Sequence, residues 1–129
     1  MNEPEDLLAK KRILIVDDDK RNTFALVSYL ETMGMDIHTA ENGYEALEML
    51  DGHKNIEIIL MDMMMPDMDG YETIGRIKKN MATSSIPIIA VTARAMKGDR
   101  EKCLEAGASE YVSKPVNLKE LVEKITMLV

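Results

Sequence analysis

The stretch Leu60-Met61-Asp62-Met63-Met64-Met65-Pro66-Asp67-Met68-Asp69-Gly70 ends an apolar run in a single carboxylate and then turns. Three other segments end comparably: Ile13-Leu14-Ile15-Val16 runs into Asp17-Asp18-Asp19, Ile88-Ile89-Ala90-Val91 into Thr92, and Glu110-Tyr111-Val112-Ser113 into Lys114-Pro115. Short apolar runs followed by turn residues read as strands covered on both faces, the condition of a parallel sheet. In an open α/β sheet, ligands bind outside the carboxyl ends of the strands, so the four endings meet in one crevice. Acids, a hydroxyl and a lysine then share it, and Asp62 is the candidate reactive residue.

Strand-like and helix-like patterns alternate from residue 12 onward, which predicts a doubly wound α/β fold with five parallel strands and five helices. Strands are expected at 12–16, 35–38, 57–61, 86–91 and around Tyr111, with the second and fifth, which alternate in polarity, at the edges. Leu26, Leu30 and Met33 mark the first helix, which stops at Gly34. Asn42-Gly43 opens the second, with Ala46, Leu47 and Leu50 inward; Tyr71, Ile74 and Ile77 mark the third. The fourth, roughly 97–106, offers only Cys103 and Leu104 to a core, so its packing is expected to be the least secure. Leu118, Leu121, Val122, Ile125 and Leu128 make the fifth the clearest, and Asn117 with Glu120 reads as a variant capping box. Residues 1–11 are expected to form a charged, frayed extension before a domain at 12–129.

At 129 residues the chain suits one domain with a core that needs no disulfide or metal staple, in keeping with a hydrophobic content of 46%. A formal charge of -7 argues against direct contact with nucleic acid or an anionic membrane and favours a metal cation. Cys103 is the sole cysteine, which excludes an internal disulfide and suits a reducing cytoplasm. The first eleven residues are too polar for a signal peptide, and no apolar run approaches the roughly 20 residues of a membrane span.

With Asp17-Asp18, Asp62, Thr92 and Lys114-Pro115 in register, the chain resembles the receiver domain of two-component response regulators, the chemotaxis-regulator type included. The likeness covers residues 12–129 and implies a flavodoxin-like sheet of strand order 2-1-3-4-5. Asp19-Lys20-Arg21-Asn22 and Ala93-Arg94-Ala95-Met96-Lys97-Gly98-Asp99-Arg100 look most like receivers of hybrid sensor histidine kinases.

The resemblance implies that Asp62 accepts a phosphoryl group from a phosphohistidine on a histidine kinase or histidine phosphotransfer protein. Crowded carboxylates repel unless a cation neutralises them, and a hard oxygen cluster suits Mg²⁺, with Mn²⁺ as a substitute. Asp18, Asp62 and the Met64 backbone carbonyl are the implied direct ligands, with Asp17 acting mainly through water. Lys114 and Thr92 are implied to hold phosphoryl oxygens, and Pro115 to follow a cis peptide that aims Lys114 inward. Movement of Thr92 would let Tyr111 turn on the face made by the fourth helix, fifth strand and fifth helix, where a homodimer or another partner would bind. Met64 and Arg94, two residues past Asp62 and Thr92, are implied to tune dephosphorylation. Output is expected to pass through a partner, a dimer or a larger protein that includes this domain.

Other readings compete residue by residue. Asp after a strand is usually a cap or a solvated charge, and Asp67 and Asp69, beside Gly70, read as turn and cap residues. His38 and His53 lack a partner pattern for phosphate relay, and the twelve methionines suit adaptable core filling. The rival function is a Mg²⁺-dependent aspartyl-phosphate phosphatase of the haloacid dehalogenase type, but Arg21 stands where its Asp-x-Asp motif wants Thr or Val. A flavodoxin-type electron carrier lacks its hydroxyl-rich phosphate loop here. A receiver-shaped module indifferent to phosphate would have no need of the intact acids and Lys114.

Overall fold

Apolar side chains alternate between two helical layers along each central strand, and this alternation builds the core. The computed structural model describes residues 4–52, 55–66, 68–93 and 98–129. Its strands are β1 (Arg12–Val16), β2 (Asp36–Ala40), β3 (Ile58–Asp62), β4 (Ile88–Thr92) and β5 (Glu110–Ser113). They form one parallel sheet of order β2-β1-β3-β4-β5, as the resemblance implied. The helices are α1 (Pro4–Leu8), α2 (Lys20–Thr32), α3 (Gly43–Gly52), α4 (Gly70–Lys79), α5 (Asp99–Ala106) and α6 (Leu118–Leu128).

Ile13, Ile15, Ile58, Leu60, Ile89 and Val91 pack with Leu26 and Leu30 of α2 and Leu121, Val122 and Ile125 of α6. Their strand neighbours Leu14, Val16, Ile59, Met61, Ile88 and Ala90 pack with Ala46, Ile74, Ile77 and Cys103 of α3, α4 and α5. Two cores on opposite faces explain why the central strands read as unbroken apolar runs.

Among the described residues six helices stand where five were expected, and the extra one, Pro4–Leu8, corrects the reading of that stretch as a frayed lead-in. Five residues cannot hold a helix in water alone. Leu8, fully buried, joins the cluster that contains Leu30, Met35 and Ile125, α1 packs on α6, and the Lys10 N–H donates to the Gly34 carbonyl at 2.7 Å. Gly34 itself has φ +77°, the left-handed conformation expected after α2.

Strand limits shift for local reasons. The Ile86 N–H turns back to Thr83 at 3.1 Å and Pro87 has no N–H to give, so β4 starts at Ile88 rather than at 86. The Met63 N–H donates to the Val91 carbonyl at 2.9 Å, and this carries β3 through Asp62. Met35 closes α2 by donating to the Leu30 carbonyl at 3.4 Å, so β2 begins one residue late and continues to Ala40 opposite Val16. Among the described residues no helix is long and apolar enough to cross a membrane.

Candidate functional site

Parallel register delivers the site. Val16 pairs with Met61, Asp62 with Val91 and Thr92 with Ser113, so β1, β3, β4 and β5 end at one level. Asp17, Asp18 and Asp62 each offer a carboxylate oxygen, all within 4.8 Å of one another. Asp17 and Asp62 are buried, at 5% and 2% exposure, while Asp18 is open to solvent.

Asp62 Oδ1 accepts the Met64 N–H at 3.0 Å. Its Oδ2 lies 3.4 Å from Lys114 Nζ, an ion-pair distance without hydrogen-bond geometry, so this buried oxygen has no hydrogen-bond partner among the described residues. Burial pushes the Asp62 carboxyl above its ordinary range; the Met64 N–H pulls it down, Asp17 raises it again, and Lys114 lowers it. A buried carboxylate oxygen without a donor, beside two further acids, is the donor set a hard divalent cation fits. Lys114 Nζ is also 3.8 Å from Asp17 Oδ2.

Loops and helix starts aim these groups. The Lys114–Pro115 peptide is cis, and the Lys114 N–H donates to the Thr92 carbonyl at 2.7 Å, tying the two strand ends together. Thr92 is buried at the end of β4. Met63, Met65 and Met68 fill the core around the Asp62 turn, while the Met64 side chain is 57% exposed. Asp69 caps α4 by accepting the Glu72 N–H at 2.9 Å, and Asp19 caps α2, which bears out the cap reading of Asp69. Tyr111 is half-buried and packs against the core on the α3–α5 side of the sheet. Cys103 is a fully buried core residue. Arg94, His53 and Asp67 lie outside the described residues.

Two residues contribute that the residue patterns did not single out. Asn22, on the first turn of α2, donates from its side-chain amide to Asp17 Oδ2 at 2.6 Å. Its signals were its place in the Asp19-Lys20-Arg21-Asn22 stretch and a spacing of five from Asp17 into a capped helix. At Gly70 a Cβ would stand 2.6 Å from Met63 Cα and 2.7 Å from the Asp62 carbonyl oxygen, so α4 can start behind Asp62 only with glycine there.

Known proteins share this arrangement. The chain is 42% identical over 121 residues to hybrid signal transduction histidine kinase I of Dictyostelium discoideum, covering 89% of this chain and 7% of that protein. It is 36% identical over 115 residues to the polar-differentiation response regulator DivK of Brucella anthropi, covering 89% of this chain and 93% of that one. The crystal structure of a putative response regulator from Chloroflexus aurantiacus superposes with a TM-score of 0.88 at 29% identity, covering 92% of this chain and 97% of that one. This chain spans at most about half of the first curated relatives it matches. The model of the response regulator receiver domain matches residues 13–126. With the acids, Thr92 and Lys114 brought to one end of a sheet of this order, the chain belongs to the response regulator receiver domain family.

Proposed function

We propose that this receiver domain accepts a phosphoryl group on Asp62 from a phosphohistidine of a histidine kinase or histidine phosphotransfer protein, in the cytoplasm. The observation that carries the reading is the meeting of three carboxylates within 4.8 Å of one another beside Lys114, with one Asp62 oxygen left without a hydrogen-bond donor among the described residues. A carboxylate oxygen of Asp62 bonds to phosphorus while the phosphorus–imidazole bond breaks, and the freed imidazole nitrogen takes up a proton. Asp18, Asp62 and the Met64 carbonyl would hold Mg²⁺, or Mn²⁺ in its place, with Asp17 in support; the ion when bound neutralises the crowded negative charge. Lys114 supplies a second positive charge to the phosphoryl oxygens, and Thr92 a hydroxyl.

Hydrolysis of the acyl phosphate returns Asp62 to its carboxylate, as it does the aspartate of a phosphatase of the haloacid dehalogenase type; the two readings part at the substrate, since this domain is expected to phosphorylate and dephosphorylate itself without turning over external phosphomonoesters. Thr92 and Tyr111 connect the site to the α5–β5–α6 face, where a partner or second copy would read the state. Met64 gives an attacking water no hydrogen bond, so the phosphorylated form is expected to decay slowly. Intact-mass measurement after acetyl phosphate treatment tests the reading. One phosphoryl group should appear in the presence of Mg²⁺, and neither Mg²⁺-depleted protein nor Asp62→Asn should gain it. Labelling of Asp62→Asn at the wild-type rate would refute it.

A further inference from the structure

Both oxygens of Asp17 accept hydrogen bonds. Oδ1 accepts the Asp19 N–H at 2.8 Å, and Oδ2 accepts the Asn22 amide at 2.6 Å. Asp62 differs, because its Oδ2 has no hydrogen-bond partner among the described residues. One ammonium stands between the two acids, with Lys114 Nζ at 3.8 Å from Asp17 Oδ2 and 3.4 Å from Asp62 Oδ2. The terminal torsion of an aspartate is soft, so a carboxylate deprived of its amide donor turns toward the strongest donor left. For Asp17 that donor is Lys114.

We propose that Asn22 is a positioning residue: it fixes the Asp17 carboxylate facing Asp18 and Asp62, and by satisfying Asp17 Oδ2 it leaves Lys114 to Asp62. The inference rests on the reading of this cluster as a divalent-cation site. Its further consequence concerns which cation is favoured. Mg²⁺ demands near-ideal geometry, whereas Ca²⁺ tolerates a flexible set of oxygens. Immobilising Asp17 therefore favours Mg²⁺ over Ca²⁺, and releasing it erodes that preference.

Asn22→Leu keeps the branching and the number of side-chain heavy atoms and removes the donor, while Asn22→Gln keeps an amide on a longer stem. Calorimetric titration of the metal-free proteins with MgCl₂ and CaCl₂, beside thermal unfolding without metal, separates positioning from general stability. Asn22→Leu is expected to weaken Mg²⁺ binding about tenfold or more, as loss of a group supporting a ligand does, and Ca²⁺ binding less. Its metal-free melting temperature should hold or rise, since leucine is the better helix former, and Asn22→Gln should recover part of the Mg²⁺ affinity. If wild type binds Mg²⁺ and Asn22→Leu binds it equally well, or loses both cations to the same extent while melting lower, the inference is overturned and the metal site stands. If wild type binds no Mg²⁺, the metal reading falls and the inference with it.

Discussion

Helices α5 and α6 flank the same edge strand, yet they are attached to the molecule in different ways. α6 buries Leu121, Val122 and Ile125 and is capped by Asn117, which accepts the Glu120 N–H at 2.9 Å. α5 buries only Cys103 and follows Gly98, which sits at φ +100° and makes no side-chain cap. Its anchor on α4 is soft: Tyr71 packs against the cluster that holds Cys103, and Lys102 Nζ stands 5.7 Å over the Tyr71 ring. Glu110 on β5 links the two helices, 3.2 Å from Lys124 of α6 and 4.0 Å from Arg100 of α5. Low-stability elements are the ones that switches move. The contrast therefore divides the face into a firmly anchored side and a weakly anchored side.

Truncation of the buried anchors gives the largest effects. Leu121→Ala should cost about 2–5 kcal/mol in urea unfolding, against about 1 kcal/mol for Cys103→Ala, where little volume is lost. Equal losses would erase the distinction between the helices. Leu8→Ala should fall near the lower end of the leucine range, because α1 joins the α6 layer, and a neutral result would return residues 1–11 to the status of a loose extension.

Smaller effects sharpen the picture. Asn117→Ala should lower stability by about 1 kcal/mol, the usual cost of a lost cap, with no counterpart at Gly98. Burial pushes Glu110 up, but the Tyr111 N–H, Lys124 and Arg100 together hold it below its ordinary value of 4.5. Its stabilisation is thus complete above about pH 4.5 and is lost as pH falls through the lower folded-state value. Glu110→Gln should flatten that acid limb of the stability profile and change neutral stability by at most about 1 kcal/mol, as for other solvent-accessible ion pairs. An unchanged limb would show that Glu110 does not join the two helices.

Much of this was legible in the residues themselves. The strand endings at Asp17, Asp62, Thr92 and Lys114 declared the crevice, because burial on both faces leaves no other place for such groups along the strands. The thin apolar face of α5 was equally visible. Harder to read was α1, whose single inward residue, Leu8, acquires meaning only when Leu30, Met35 and Ile125 are brought beside it. Asn22 stayed hidden for a related reason, since its amide meets the Asp17 carboxylate only when the helix start is folded against the end of β1. The start of β4 was misjudged because Ile86 is apolar enough for a strand, yet its N–H is taken by Thr83.

The central claim is that chemistry at Asp62 is read out on the weakly anchored side of the α5–β5–α6 face. Amide hydrogen exchange with and without beryllofluoride and Mg²⁺, on wild type and Asp62→Asn, tests it most directly. The account predicts altered protection in α5 and β5 of wild type, little change in the core turns of α6, and none of it in Asp62→Asn. Changes confined to α2 and α3, or equal in both proteins, would contradict it.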